Sequence, residues 1–198
     1  MGEVKKKRIN LRLSYNSPVI LGFSFACLII LVIDLLTNHW ATSTIFSVGG
    51  TSLSNPMTYI RFFTHVLGHA NWAHFFGNIT LILVIGPLLE EKYGSSDILL
   101  VILVTAFVTG VVHYFFFPGT VLLGASGVVF AFILLASLTK ASEGEIPITF
   151  ILVFLIYIGE EIYKGIVIDD NVSNLTHILG GITGSVMGKL MNKRRRRF

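Results

Sequence analysis

The sequence predicts an all-α membrane protein, one bundle of six transmembrane helices with both termini cytoplasmic. Three observations predict it. Of 198 residues 53% are hydrophobic and only 13% charged, where soluble domains carry about a quarter charged residues; mean hydropathy is +0.76. Six apolar segments can be marked, at 18–37, 72–90, 96–117, 124–140, 147–164 and 173–191, each near the ~20 residues that cross ~30 Å of hydrocarbon. The basic residues then orient the bundle. Lys5, Lys6, Lys7, Arg8 and Arg12 precede the first segment, and Lys189, Lys193, Arg194, Arg195, Arg196 and Arg197 end the last. Lys92 and Lys140 lie in the second–third and fourth–fifth connections. With six crossings all of these share one side, which the positive-inside rule makes cytoplasmic. Only Arg61 and Lys164 of the 15 Lys and Arg residues remain for the other side.

The segments stand close together, so one domain at 18–191 is expected between a basic N-terminal segment, 1–17, and a basic tail, 192–198. The chain contains no internal repeat and no low-complexity tract. The first segment is too long for a cleavable signal and lacks an A-x-A-type end. Cys27 lies inside it and is the sole cysteine, so there is neither a disulfide nor a cysteine metal cluster, and a buried, inert thiol is expected. A net charge of +4 and a pI of 9.3 read as attachment to the lipid bilayer's anionic surface, with no nucleic acid implied. The second segment starts at "WAHFFGN", placing His74 and Asn78 within its first two turns, with His65 and His69 just before it. The third carries His113 near its outer end. The fourth opens on "GASG" and the sixth carries "HILGGITG". The fifth, "PITFILVFLIYIGEEIYKG", is the weakest: a short apolar run, then Gly159, Glu160 and Glu161.

Ionisable groups inside a membrane bundle are costly and mark function by default. In the orientation above, all six histidines, His39, His65, His69, His74, His113 and His177, fall in the outer half. Ser126, His74, Asn78 and His177 come from three inward-running helices. Each lies roughly 3–6 residues below its helix start, ~5–9 Å deep. A lone serine or asparagine in a membrane helix reads as packing or interhelical glue; the four at one depth favour chemistry. A serine hydroxyl needs a base to take its proton, and His177 is the base within reach. Asp34 has no motif linking it to His177, and Asp169 and Asp170 lie in the loop before the last segment, so a dyad is the simpler expectation. His74 and Asn78 are i, i+4 and share a helix face, able to converge on an oxyanion together with the Ser126 N–H at its helix start. Gly124 and Gly127 would let the chain turn sharply. Gly180 and Gly184, one and two turns beyond His177, would let the fourth and sixth segments touch.

In these residues the chain resembles the rhomboid intramembrane serine proteases of the bacterial six-helix type. The resemblance covers about residues 58–190 and rests on three motifs in order: "HFFGN", "GASG" and "HILGGITG". "IRFFTHVLGHANWAH" is similar to the family's first outer loop and "LLEEKYG" to its cytoplasmic exit. The resemblance implies Ser126 and His177 as catalytic residues and His74 and Asn78 as oxyanion partners. It also implies Phe130 where many members have a tyrosine stacking on the histidine, and Ile60 where many have tryptophan before Arg61. It implies transmembrane protein substrates cut near the outer face, no cofactor and no metal, and a bacterial plasma membrane. Entry must be lateral, and the fifth segment either packs loosely and gates it beside the second or is an ordinary helix end reaching the polar interface; the sequence leaves both open. Two rivals stand against this: a non-catalytic relative, disfavoured because serine and histidine are both present, and a transporter, disfavoured because "ITLILVIGPLL" and "VVFAFILLASL" stay apolar to the inner end. Oligomeric state is left open.

Overall fold

A computed structural model describes residues 15–139, 145–167 and 171–195. Helix α1 spans Pro18–Leu36. Proline at its first position has a fixed φ suited to a helix start, and the start is capped from outside. The N–H groups of Val19 and Ile20 donate to Glu90 Oε1 and Oε2, each at 3.0 Å. Past its end, Asp34 gathers the following chain, accepting from the Thr42 N–H at 2.7 Å and the Thr42 hydroxyl at 2.8 Å, with His39 Nδ1 at 2.8 Å. Two short helices follow that the apolar pattern did not signal, α2 (Trp40–Thr44) and α3 (Pro56–Thr64), and then a 3-10 turn at His65–Leu67. Arg61, buried, ties them together: its Nε donates to Thr44 O at 2.8 Å and its Nη2 to Ser43 O at 3.1 Å and to Thr44 O. A cation thus satisfies the carbonyls left open at the end of α2.

The long elements are α4 (Trp72–Tyr93), α5 (Ser95–Phe116), α6 (Ser126–Ser137), α7 (Ile148–Val167) and α8 (Asn171–Arg195). With α1 they coincide with the six apolar segments. Among the described residues three helices, α1, α4 and α5, are long and apolar enough to cross a membrane by themselves. Helix α6 has 12 residues, about 18 Å, and in α7 the described residues Ile148–Tyr157 are apolar. Helix α8 has the length, 25 residues, and its apolar character is diluted by glycine, serine, threonine and asparagine. The basic residues Lys5, Lys6, Lys7, Arg8, Arg12, Lys140, Arg196 and Arg197, the acids Asp169 and Asp170, and the side chains of Glu160, Glu161 and Lys164 lie outside the described residues.

Helix α6 is the axis of the bundle. Gly127, Val128, Val129, Ala131, Phe132, Leu134 and Leu135 are all buried, because α4, α5, α7 and α8 surround it. A helix apolar on every side fits such a place. Its tightest neighbour is α8. A Cβ added to Gly180 would fall 2.2 Å from Gly127 O, one at Gly184 2.1 Å from Ala131 O, and one at Gly188 2.8 Å from Leu135 Cδ1. Glycines four apart on α8 thus clear a strip along which the α6 backbone lies directly on the α8 backbone.

Candidate active site

The chain reaches α6 through an extended stretch held on both sides. Val48 and Leu122 exchange N–H···O bonds of 2.9 and 2.8 Å, and the Gly124 N–H donates to His65 O at 2.9 Å. Gly124 then takes φ +116°, a conformation open to glycine. A Cβ there would lie 2.6 Å from both Cε1 and Nε2 of His74 and 3.7 Å from Asn78 Nδ2. The imidazole edge of His74 and the Asn78 amide therefore press on the backbone two residues before Ser126. Both come from one face of α4, whose start is fixed by Asn71 Oδ1 accepting the His74 N–H at 2.9 Å. Asn78 is buried, and its Nδ2 has no hydrogen-bond partner among the described residues. A buried amide donor left unsatisfied is costly.

Ser126 is the first residue of α6, with Ala125 as a cap that supplies no side-chain hydrogen bond. Its N–H is among those a helix start leaves without an intrahelical acceptor, at the positive end of the dipole. One turn on, the Phe130 ring lies flat on His177, centroids 4.3 Å apart and planes within 6°. Since residues four apart share a helix face, the stack puts His177 on the Ser126 side of α6. Tyr157 of α7 closes on the same ring edge-on, at 5.6 Å and 88°. His74 and His177 are electrostatic neighbours. Gly127 differs from expectation in its conformation: it is helical and serves close packing, with Thr109 Cγ2 and Thr176 Cγ2 each 3.4 Å from where a Cβ would be. The sharp turn belongs to Gly124 alone.

Two further histidines frame this group. His69, with 0% exposure, stands edge-on to the His74 ring at 5.1 Å and 64°. Its Nδ1 is 3.2 Å from Leu67 O, which fixes the proton on Nδ1, a carbonyl being only an acceptor. His65 places Nε2 3.0 Å from Ala106 O while its own carbonyl holds Gly124. Burial above all lowers both imidazoles from 6.5 to about 4, with the nearness of His74 adding to the effect at His69. Both are neutral at physiological pH. The sequence put them in the outer polar region without a role; three histidines within ten residues were the available signal. Asp34 is committed to His39 and Thr42, so α1 brings no carboxylate to His177. No cluster of metal-ligating side chains occurs among the described residues. A cavity of about 590 Å³ lined by Ile133, Ser137 and Thr149 lies at the far end of α6 and takes no part in this grouping.

Residues 56–194 match the family model of the rhomboid domain. The chain is 27% identical over 154 residues to rhomboid-like protein 11, chloroplastic, of Arabidopsis thaliana, covering 70% of this chain and 55% of that one. It is 25% identical over 139 residues to rhomboid protease GlpG of Haemophilus influenzae, covering 69% and 71%. The chain thus spans about half the length of the chloroplast relative. A family match across most of the chain, on an all-helical fold with membrane-length apolar helices, leads to one conclusion: the chain belongs to the rhomboid family.

Proposed function

We propose that this protein is an intramembrane serine endopeptidase that cuts transmembrane proteins near the outer membrane face. Ser126 Oγ attacks the scissile carbonyl while His177 takes its proton. The oxyanion accepts hydrogen bonds from the Ser126 N–H, His74 Nε2–H and Asn78 Nδ2–H. His177 then gives its proton to the leaving amine, and a water repeats the sequence on the acyl-enzyme to release the second product. The observation that carries this reading is Gly124: its bare Cα is covered by His74 and Asn78, while the α6 turn that follows carries Ser126 and the Phe130–His177 stack. Three helices so converge on one point. The relative named a rhomboid protease supports the same activity.

Six crossings with both termini cytoplasmic, a bacterial plasma-membrane location and lateral admission of substrate between α4 and α7 complete the proposal. Reconstitution with a model transmembrane substrate tests it. Wild type cleaves; Ser126→Ala and His177→Ala do not, and a fluorophosphonate label on the wild type disappears in Ser126→Ala. Cleavage that survives in Ser126→Ala would overturn the assignment. Crosslinking α4 to α7 tests the lateral route, which is abandoned if cleavage of a membrane substrate is unchanged.

A further inference from the structure

Helix α7 meets the bundle along one stripe. Phe150, Val153, Phe154 and Tyr157, spaced i, i+3, i+4 and i+7, are partly buried against the core, while Ile151, Leu152, Leu155 and Ile156 between them are exposed. That spacing is a single helix face. Past Tyr157 the stripe stops among the described residues: a Cβ on Gly159 would meet nothing within 4 Å, and Tyr163 is exposed. Tyr157 is thus the last side chain of this face to hold α7 to the bundle on the Ser126 side. Its ring stands across Phe130, centroids 5.6 Å apart and planes at 88°, and Phe130 lies flat on His177 at 4.3 Å. Three rings from α7, α6 and α8 so form one column. A stacked pair has no directional bond that fixes its offset, and the χ2 well of a phenyl ring is broad. A third ring set at a right angle is what limits the turning of the middle one.

We propose that Tyr157, on the proteolytic reading of Ser126 and His177 given above, is a positioning residue. By standing against Phe130 it keeps that ring flat on His177, so the base is held for Ser126 only while α7 lies against α6. The consequence is regulatory. A substrate admitted between α4 and α7 passes beside the end where the α7 stripe stops. A segment that pushes α7 aside there breaks the Tyr157 contact first, and the column over His177 loosens. Ser126 is then least reactive while the slit is open, and regains its base when α7 settles back. Closure of a moving element completes the reactive group, and entry is kept apart from chemistry.

The test follows labelling of Ser126 by a small fluorophosphonate in the full chain in micelles, a reaction that needs nucleophile and base and no membrane substrate. Saturation with the probe separates the maximal rate from the half-saturating concentration. Tyr157→Leu is expected to lower the maximal rate roughly two- to tenfold, the range of one aromatic pair, with the half-saturating concentration unchanged. Tyr157→Phe keeps the ring and the wild-type rate. In a Phe130→Ala background Tyr157→Leu costs nothing further, because its effect passes through that ring. Phe154→Leu, on the same stripe, keeps the wild-type rate, which separates positioning of the base from general packing of α7. An unchanged maximal rate in Tyr157→Leu overturns the proposal and leaves the proteolytic reading standing. So does an equal loss in Phe154→Leu, or an additive loss in the double variant. Wild type that takes no label at Ser126 removes both.

Discussion

Replacing Gly124 with alanine demands two incompatible things of one residue: φ +116°, and a methyl group 2.6 Å from the His74 ring. The backbone must swing or the imidazole must leave, and either moves a proposed oxyanion donor. A misplacement near 1 Å costs roughly 100-fold, so Gly124→Ala is expected to lower kcat at least that far with the fold retained, measured by cleavage rate and melting temperature. Phe130 is a gentler case. Its face-to-face contact with His177 uses only the ring, and an aromatic pair contributes about 0.5–1.5 kcal/mol. Phe130→Tyr should keep activity, whereas Phe130→Ala should lose roughly tenfold in kcat; a fall as large in Phe130→Tyr would mean that the stack does not position the base. His65 and His69 make stability depend on acid. Folded, they take a proton near pH 4; unfolded, near 6.5. Between those values the unfolded chain holds more protons, so stability drops as pH falls from 6.5 to 4, on the order of 3 kcal/mol for each group. Above 6.5 neither contributes a slope. A melting curve recorded across this window should flatten in His65→Gln and in His69→Gln.

At the scale of elements, the seam between α6 and α8 decides whether the proposed nucleophile, Ser126, and the proposed base, His177, meet. Gly184 lies two turns beyond His177, and a Cβ there would sit 2.1 Å from Ala131 O. That is backbone rather than a flexible side-chain tip, so α8 must move away bodily. Gly184→Val is expected to lower melting temperature and abolish cleavage together, while Gly77→Ala, on the face of α4 where a Cβ meets nothing, should do neither. The seam was legible because "HILGGITG" repeats small residues at helical spacing. The six long helices were legible because apolar runs of that length have few other uses. Helices α2 and α3 were not. They are short, and they are held by Arg61 reaching carbonyls 17 and 18 residues away, a contact no local pattern announces. Helix α6 starts at 126 and not at 124, where its apolar segment opens, since nothing local says that Gly124 takes a positive φ beside His74. At the other end, α8 runs to Arg195, past the expected 191, because Lys and Arg extend a helix as readily as they mark the end of an apolar run. The grouping of Ser126, His177, His74 and Asn78 rests in the sequence on depth, helical spacing and the three motifs; the stack of Phe130 on His177 and the close approach of His74 to Gly124 are contacts that no local pattern announces.

At the scale of the whole molecule, the length of α6 carries a consequence for where the chemistry happens. A 12-residue helix covers about 18 Å, and a bilayer's hydrocarbon is about 30 Å thick. Its two ends therefore cannot both reach water at the membrane surfaces. On the proposed reading the start of α6 is the submerged end, so residues 121–125, which are not helical, lie where open backbone is tolerated only against protein or in a wet cavity. The Val48–Leu122 bridge and the Gly124 N–H bond to His65 O satisfy that condition on one side of the chain. The proposed hydrolysis requires water at Ser126, just beyond this stretch. A thiol placed at Ser126 should thus react with a charged, membrane-impermeant reagent added from one face, and only that face. The test is Ser126→Cys in a Cys27→Ser background, in sealed vesicles of known orientation. Position 137, at the opposite end of α6, is the comparison: Ser137→Cys should resist reagent from that face, because the apolar, fully buried residues Val128, Phe132, Leu134 and Leu135 close the path between the two. Labelling of Ser126→Cys from both faces would turn the blind pocket into a channel and remove the reason for reading this bundle as a protease. Labelling from neither would leave the serine dry, with no route for the water that frees the acyl-enzyme.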